Sequence, residues 1–288
     1  MQAVILAAGR GTRLLPVTDV IPKPLIPFWG RPFIAYLLDA LEGLVDEAII
    51  VDAPGLEVEQ ALGDRHGALP LRYAVQPLPL GTGDAMLQAR AMIDGPFLLL
   101  LGDTCPARDT LQALIDTPGK AVLMVIEVDD RENHSGVSVD GAGRVTGMWT
   151  DAATVDAGIV KFDPMILDLV AGHEPLRGEL RVLQGVNSLV EAGEEVRAVQ
   201  MPHPWMQFGD HEGINGVIRV MRTLAEMQGE RCAPGDSSLM VRARDCAIED
   251  ALVFGPGSLD RCVIKRSLVY CGGDAVGRTV TDAIAVLD

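Results

Sequence analysis

Apolar runs bounded by turn residues alternate with stretches of helical apolar spacing through the first two-thirds of the chain. Residues 3–7, 47–51, 71–75, 97–101 and 121–128 are the predicted strands, and several are apolar at nearly every position. A strand apolar on both faces belongs in a sheet covered by helices on either side. Residues 32–44 carry Phe33, Ile34, Leu37, Leu38 and Leu41 at the spacing of one helix face. Residues 82–92, 110–115 and 211–227 are further predicted helices, the last with Ile214, Val217, Ile218, Met221 and Leu224 along one side. Strand–helix–strand alternation predicts an α/β fold, a Rossmann-like, mixed but mainly parallel sheet with its site at the carboxyl ends of the strands.

From Cys246 the period changes. Cut at every sixth residue, the chain reads CAIEDA, LVFGPG, SLDRCV, IKRSLV, YCGGDA and VGRTVT. The first position is apolar in five of these hexads and the last is small or β-branched in all, which predicts a short left-handed β-helix-like tail. At about 18 residues per three-sided coil the hexads make two coils, the alternative being a few loose strands. Gly, Pro, Asp and Ser collect in residues 229–238, so the expected division is a domain over 1–228 and a tail over 229–288.

Charge narrows the range of partners. Lysine and arginine total 24 against 40 acidic residues, a net charge of −16. That average field repels nucleic acid and acidic membrane surfaces, and any anionic ligand needs its own local cations. Lysine is rare, at Lys23, Lys120, Lys161 and Lys265 only. Five cysteines form no CxxC pair and read as small buried residues of a reducing compartment. With no basic region before the first apolar run and no apolar stretch near ~20 residues, the expected location is the cytoplasm, away from membranes.

The chemistry collects near the start. After the first predicted strand comes LAAGRGTRL, residues 6–14. The backbone N–H groups of Leu6, Ala7, Ala8, Gly9, Gly11 and Thr12 can cradle a phosphate there, or the glycines can serve a plain tight turn. A dinucleotide fingerprint fails, because Leu14 stands where its third glycine belongs. Arg13 follows Gly9 by four residues, and IPKPLIP holds Lys23 between two prolines that keep the segment out of an α-helix. Two fixed cations beside a phosphate loop suit a pyrophosphate leaving group. Asp103 ends a buried apolar run and a glycine, at the sheet edge where a magnesium ion bridging phosphates would sit, although a turn or capping role fits the same position.

Taken together, LAAGRGTRLLPVT and PKPLIPFWGRPFI resemble the signature of the sugar-phosphate nucleotidyltransferases, including the glucose-1-phosphate thymidylyl- and uridylyltransferases. QPLPLGTGDAM is similar to the family's second segment, which implies that Gln76 and Gly81 read a pyrimidine ring and that Thr82 lies with the nucleotide. FLLLLGDT resembles the strand ending in the metal-binding aspartate, here Asp103. HSGVSVD and DAGIVKF resemble segments whose glycines, here Gly136 and Gly158, meet the sugar phosphate. WMQFGDHEGI resembles the closing W-x-D-x-G-T region and puts Gln207 at the second metal position.

The chain also departs from that pattern. Where members carry Glu-Lys-Pro, residues 147–153 read GMWTDAA, and Gln207 replaces an aspartate. Lys161 is the candidate to replace the missing lysine unless strand alternation turns it to solvent, and Glu179 falls where members often have an acidic residue. Asp84 is open between helix capping and ligand contact. The resemblance implies a Mg2+-dependent enzyme joining a nucleoside triphosphate to a sugar-1-phosphate, dTTP or UTP being favoured, with Arg13, Lys23 and Asp103 as its catalytic residues. A homo-oligomer is expected from the exposed edge of the tail. The alternatives are a non-catalytic relative that binds nucleotide sugar, or a family enzyme using ATP or GTP. A Rossmann oxidoreductase is disfavoured by the failed fingerprint.

Overall fold

A computed structural model describes residues 1–128, 136–201, 207, 213–227 and 236–287. Up to Gln200 the strands are β1 (Gln2–Leu6), β2 (Pro27–Phe28), β3 (Arg31–Pro32), β4 (Glu47–Asp52), β5 (Arg65–His66) and β6 (Leu69–Val75). They continue as β7 (Phe97–Leu101), β8 (Ala121–Glu127), β9 (Gly136–Val139), β10 (Val145–Thr150), β11 (Thr154–Phe162) and β12 (Val196–Gln200). The helices are α1 (Phe33–Leu41), α2 (Glu57–Leu62), α3 (Thr82–Gln88), α4 (Arg108–Asp116), α5 (Ile166–Ala171), α6 (Val182–Glu191) and α7 (Ile214–Met227). The chain divides into two units, Met1–Gly9 with Leu37–Trp205 and Arg10–Tyr36 with Met206–Asp288. This division differs from the boundary expected at residue 229.

Among the described residues the first unit holds a ten-stranded sheet, ordered β10-β9-β11-β7-β1-β4-β6-β5, with β8 on β11 and β12 on β8. β7, β1, β4 and β6 run parallel, as the alternation predicts. β11 is antiparallel to both β7 and β8, and β9 and β10 are antiparallel to each other. Register explains the uniformly apolar strands. Val4, Ile49, Leu99, Leu123 and Val160 point to one face, in a core with Met86 of α3, Ile166 of α5 and Val186 of α6. The intervening Ile5, Ile50, Leu100 and Val122 are equally buried on the other face.

In the second unit ten short strands stack in parallel. Arg242, Ser258 and Asp274 are register partners on one side, and Ala247, Val263 and Thr279 on the next, each 16 residues apart. A coil of 16 replaces the expected coil of 18, because one side of each turn advances by six residues and two advance by five. The corners carry left-handed residues, among them Asp245, Asp250, Arg261, Arg266 and Asp282. A single residue at positive φ turns the chain sharply, and aspartate tolerates that conformation better than most side chains. Val253, Leu259, Ile264, Val269 and Cys271 fill the interior. α7 lies against the coils, where Arg222 pairs with Asp250 and Arg266 donates to Asn215 Oδ1 at 2.7 Å.

The signature segment from Arg10 onward belongs to this unit. Trp29 and Gly30 form the two-residue turn between β2 and β3, at φ 50° and 80°. Positive φ at both central residues is the hairpin turn that matches strand twist, normally built from Asn-Gly. Here the turn is tied down instead. Trp29 N–H donates to Ser238 Oγ at 3.0 Å and its indole N–H to the Met221 carbonyl at 2.9 Å. No described helix is long and apolar enough to cross a membrane. Cys105, Cys262 and Cys271 are buried and unbridged, as expected from the sequence; Cys246 is unbridged but only half-buried, and Cys232 lies outside the described residues.

Candidate active site

In the first unit Leu6, Ala7, Gln76 and Asp103 lie where β1, β6 and β7 end. The Gly102 N–H donates to the Leu6 carbonyl at 2.9 Å, so Asp103 follows directly beside Leu6 and Ala7. Ala7 is tied to the Val51 carbonyl at 2.9 Å and Gln76 to the Asp52 carbonyl at 2.9 Å. Asp52 itself is occupied: its Oδ2 accepts from the N–H groups of Val58 and Glu59 and caps α2. Thr104 Oγ1 bonds the Leu101 carbonyl at 2.7 Å and closes the turn that holds Asp103, which is itself half-buried. Gly158, at φ 75° in a register shift of β11, packs against Leu101 at the same edge.

Gln76 is 6% exposed. Its Nε2 donates to Asp84 Oδ2 at 2.8 Å and to the Gly81 carbonyl at 3.1 Å. Gly81 sits at φ 104°, and an added Cβ would stand 2.4 Å from the Leu180 carbonyl oxygen. Only glycine fits there, because the 180 segment crosses directly over it. That crossing is hydrogen-bonded, from Leu180 N–H to the Leu80 carbonyl at 2.7 Å and from Gly83 N–H to the Leu180 carbonyl at 2.8 Å. Thr82 Oγ1 accepts the Val182 N–H at 3.2 Å, at the first turn of α6. Glu179 lies next to Gly81 and pairs with Arg181 at 3.3 Å across a solvent-exposed gap. Gly136 is buried between Thr150 and Val155.

Lys161 is a correction. It alternates to the face opposite Val160 and Phe162, is 8% exposed, and pairs with Leu98, three residues back from the site edge. Its Nζ donates to the carbonyls of Ile115 and Thr117. There it satisfies the orphan carbonyls at the end of α4. Burial lowers its pKa, with Asp116 acting in the opposite direction. It does not replace the missing lysine. Of residues 147–153, those up to Thr150 end β10, where Trp149 is left-handed and 40% exposed, and 151–153 lead into β11.

The candidate cations Arg13 and Lys23 belong to the second unit. Thr12–Leu14 and Lys23–Leu25 are single 3-10 turns, so the prolines frame one tight turn around Lys23. Gly11, at φ 60°, is pinned by Thr18 Oγ1 donating to its carbonyl at 2.9 Å. A Cβ on Gly11 would lie 3.3 Å from Lys23 Cβ, so the two motif pieces are neighbours. Arg13 is exposed and Lys23 half-buried. The Gln207 carbonyl accepts from Arg219 at 3.4 Å. Its closing-motif neighbours, including Asp210, lie outside the described residues.

Residues 2–222 match the family model for nucleotidyl transferases. The chain belongs to the nucleotidyl transferase family. A glucose-1-phosphate thymidylyltransferase of Streptomyces griseus is 30% identical over 248 residues, 81% of this chain and 68% of that protein. The bifunctional protein GlmU of Methanococcus vannielii is 28% identical over 221 residues, and the match spans 73% of this chain and about half of that relative, 52%. Among solved structures, a UDP-glucose pyrophosphorylase complexed with UDP-glucose superposes with a TM-score of 0.69 at 18% identity, covering 78% of this chain and 98% of its own. An inositol-1-phosphate CTP transferase from T. maritima gives 0.68 at 20% identity, covering 80% and 98%. The nucleotidyl transferase fold is therefore shared with proteins named for different bases. Asp84 is the residue that sequence reasoning left undecided, and its bond to Gln76 spans a loop that no local pattern betrays.

Proposed function

We propose that the chain joins a nucleoside triphosphate, dTTP or UTP by preference, to a sugar-1-phosphate, giving a nucleotide sugar and pyrophosphate. The observation that carries this reading is Gln76, buried at the sheet edge with its amide held beside Gly81. The sugar phosphate oxygen attacks the α-phosphorus in line, a new P–O bond forms, and the bond to the β-phosphate oxygen breaks as pyrophosphate leaves. No protein nucleophile is needed, since positioning and charge stabilisation supply the rate. Arg13 and Lys23 neutralise the charge that develops on the phosphates.

The donor set suits magnesium. Among the described residues no group of three or more His, Cys, Asp or Glu could hold a metal on its own. Magnesium commonly takes one or two carboxylates and completes its shell with water and substrate phosphates. Asp103 fits that pattern as one carboxylate ligand at the edge of the sheet; Gln207, in the other unit, is a candidate by the family resemblance alone. When bound, the ion would neutralise charge across the triphosphate.

Pyrophosphate release from a panel of dTTP, UTP, ATP and GTP against several sugar-1-phosphates tests the reading. Turnover is expected only with magnesium, and dTTP or UTP should lead ATP and GTP by at least ~10-fold. Nucleotide binding with no pyrophosphate release would make this a non-catalytic relative, and an ATP or GTP preference would overturn the base assignment.

A further inference from the structure

Gln76 is held by two groups that can only accept. Asp84 Oδ2 and the Gly81 carbonyl oxygen stand 2.8 and 3.1 Å from the same side-chain nitrogen. A carboxylate and a backbone carbonyl offer lone pairs and no proton, so the Gln76 NH2 must face them. Turning the amide over would press Oε1 against both oxygens at hydrogen-bond distance with nothing between. Asp84 is itself steadied from the next turn of α3, where Gln88 Nε2 reaches its Oδ1 at 3.4 Å. Both amide protons are therefore spent inside the protein. Of the Gln76 side chain, Oε1 is then the atom that faces a ligand, and it can only accept.

We infer that Asp84 is a specificity-determining positioning residue. By fixing the Gln76 amide it makes this position select bases with a ring N–H, uracil and thymine, against cytosine. The inference rests on the proposed reading that Gln76 faces the base. Uracil and thymine carry N3–H, which donates to Oε1. Cytosine presents a bare N3 lone pair at that place and reaches Oε1 only through its exocyclic amine, on a displaced ring. An amide free to turn would serve either base, donating to N3 of cytosine or accepting from N3–H of uracil. Asp84 removes that freedom.

The test compares kcat/KM for UTP and CTP in the full chain, with the best sugar-1-phosphate from the panel. Asp84→Asn keeps the shape but can donate as well as accept; it removes the shorter of the two acceptor contacts and leaves only the longer one, to the Gly81 carbonyl, against a turned amide. Asp84→Ser does the same with a smaller group, should the first variant fold poorly. Asp84→Glu keeps an acceptor-only partner and is the rescue control. The wild type should favour UTP by at least ~10-fold, the scale of one mismatched polar contact. In Asp84→Asn and Asp84→Ser the ratio should fall several-fold or more, chiefly through a rise with CTP, and Asp84→Glu should keep it. A merely structural role would lower both substrates together and leave the ratio alone, and that result overturns the inference. A wild type that prefers CTP also overturns it. A wild type that prefers a purine nucleotide defeats the base reading itself, so the two failures are distinguishable.

Discussion

The backbone N–H of Trp29 donates to the hydroxyl of Ser238 at 3.0 Å, across 209 positions of sequence. The hairpin that follows the Lys23 turn is thereby fastened to the first strand of the coiled tail. The indole N–H adds a second tie, to the Met221 carbonyl in α7. Trp29 sits at φ 50°, a conformation that costs a non-glycine residue on the order of 1 kcal/mol, so these bonds offset a local strain.

That relationship predicts coupled losses of stability. Ser238 is 1% exposed, and Ser238→Ala leaves the Trp29 N–H without its acceptor, costing about 1–2 kcal/mol. Trp29→Phe removes the indole donor and should cost about 1 kcal/mol. Because both ties hold one turn, the double variant should lose less than the sum of the single losses. Urea unfolding of the four proteins measures this. Strict additivity would mean that the two bonds do not share a load.

Charge at the leaving group gives a second expectation. Arg13→Ala and Lys23→Ala should each lower turnover by ~10²-fold or more, the scale of a lost electrostatic stabiliser. Arg13 is exposed, so its removal should leave the urea midpoint in place. A folded double variant with near-normal pyrophosphate release would end the assignment of both residues.

A third expectation concerns pH. Asp156 Oδ1 is buried with no hydrogen-bond partner among the described residues, two residues before Gly158. Burial pushes this carboxyl up to about 7, opposed only by a backbone bond from Gly158. An unfolded aspartate titrates near ~4, so between there and about 7 the folded state keeps a proton that the unfolded state has lost. The stability linked to Asp156 is thus complete below pH ~4 and disappears as pH rises through about 7. The urea midpoint should fall between pH 5 and pH 8, and Asp156→Asn should flatten that fall and be the more stable protein at pH 8. An identical slope in the variant would show that Asp156 ionises freely.

How much of this was readable beforehand follows from the range of each interaction. The parallel strands β1, β4, β7 and β8 were legible because a sheet covered on both faces demands unbroken apolar runs, as at Phe97–Leu101. Arg13, Lys23 and Asp103 are candidates that the sequence alone offers, because spacing along the chain and position after a strand single them out. Sequence also held the repeat of the tail, though not its true step of 16, since six-residue and five-residue sides blur into one hexad pattern. Tertiary structure alone decided the rest. Lys161 reads as a candidate cation until the register of β11 turns it onto the carbonyls ending α4. Gly81 reads as a base contact in the sequence, and the Leu180 backbone adds a further reason why no side chain fits there. The turn of the Gln76 amide depends on which acceptors surround it, and Asp84 arrives there only through the fold of the loop and α3. Periodicity and motif spacing record local and face-by-face requirements, whereas a hydrogen bond between distant segments leaves no period in the chain.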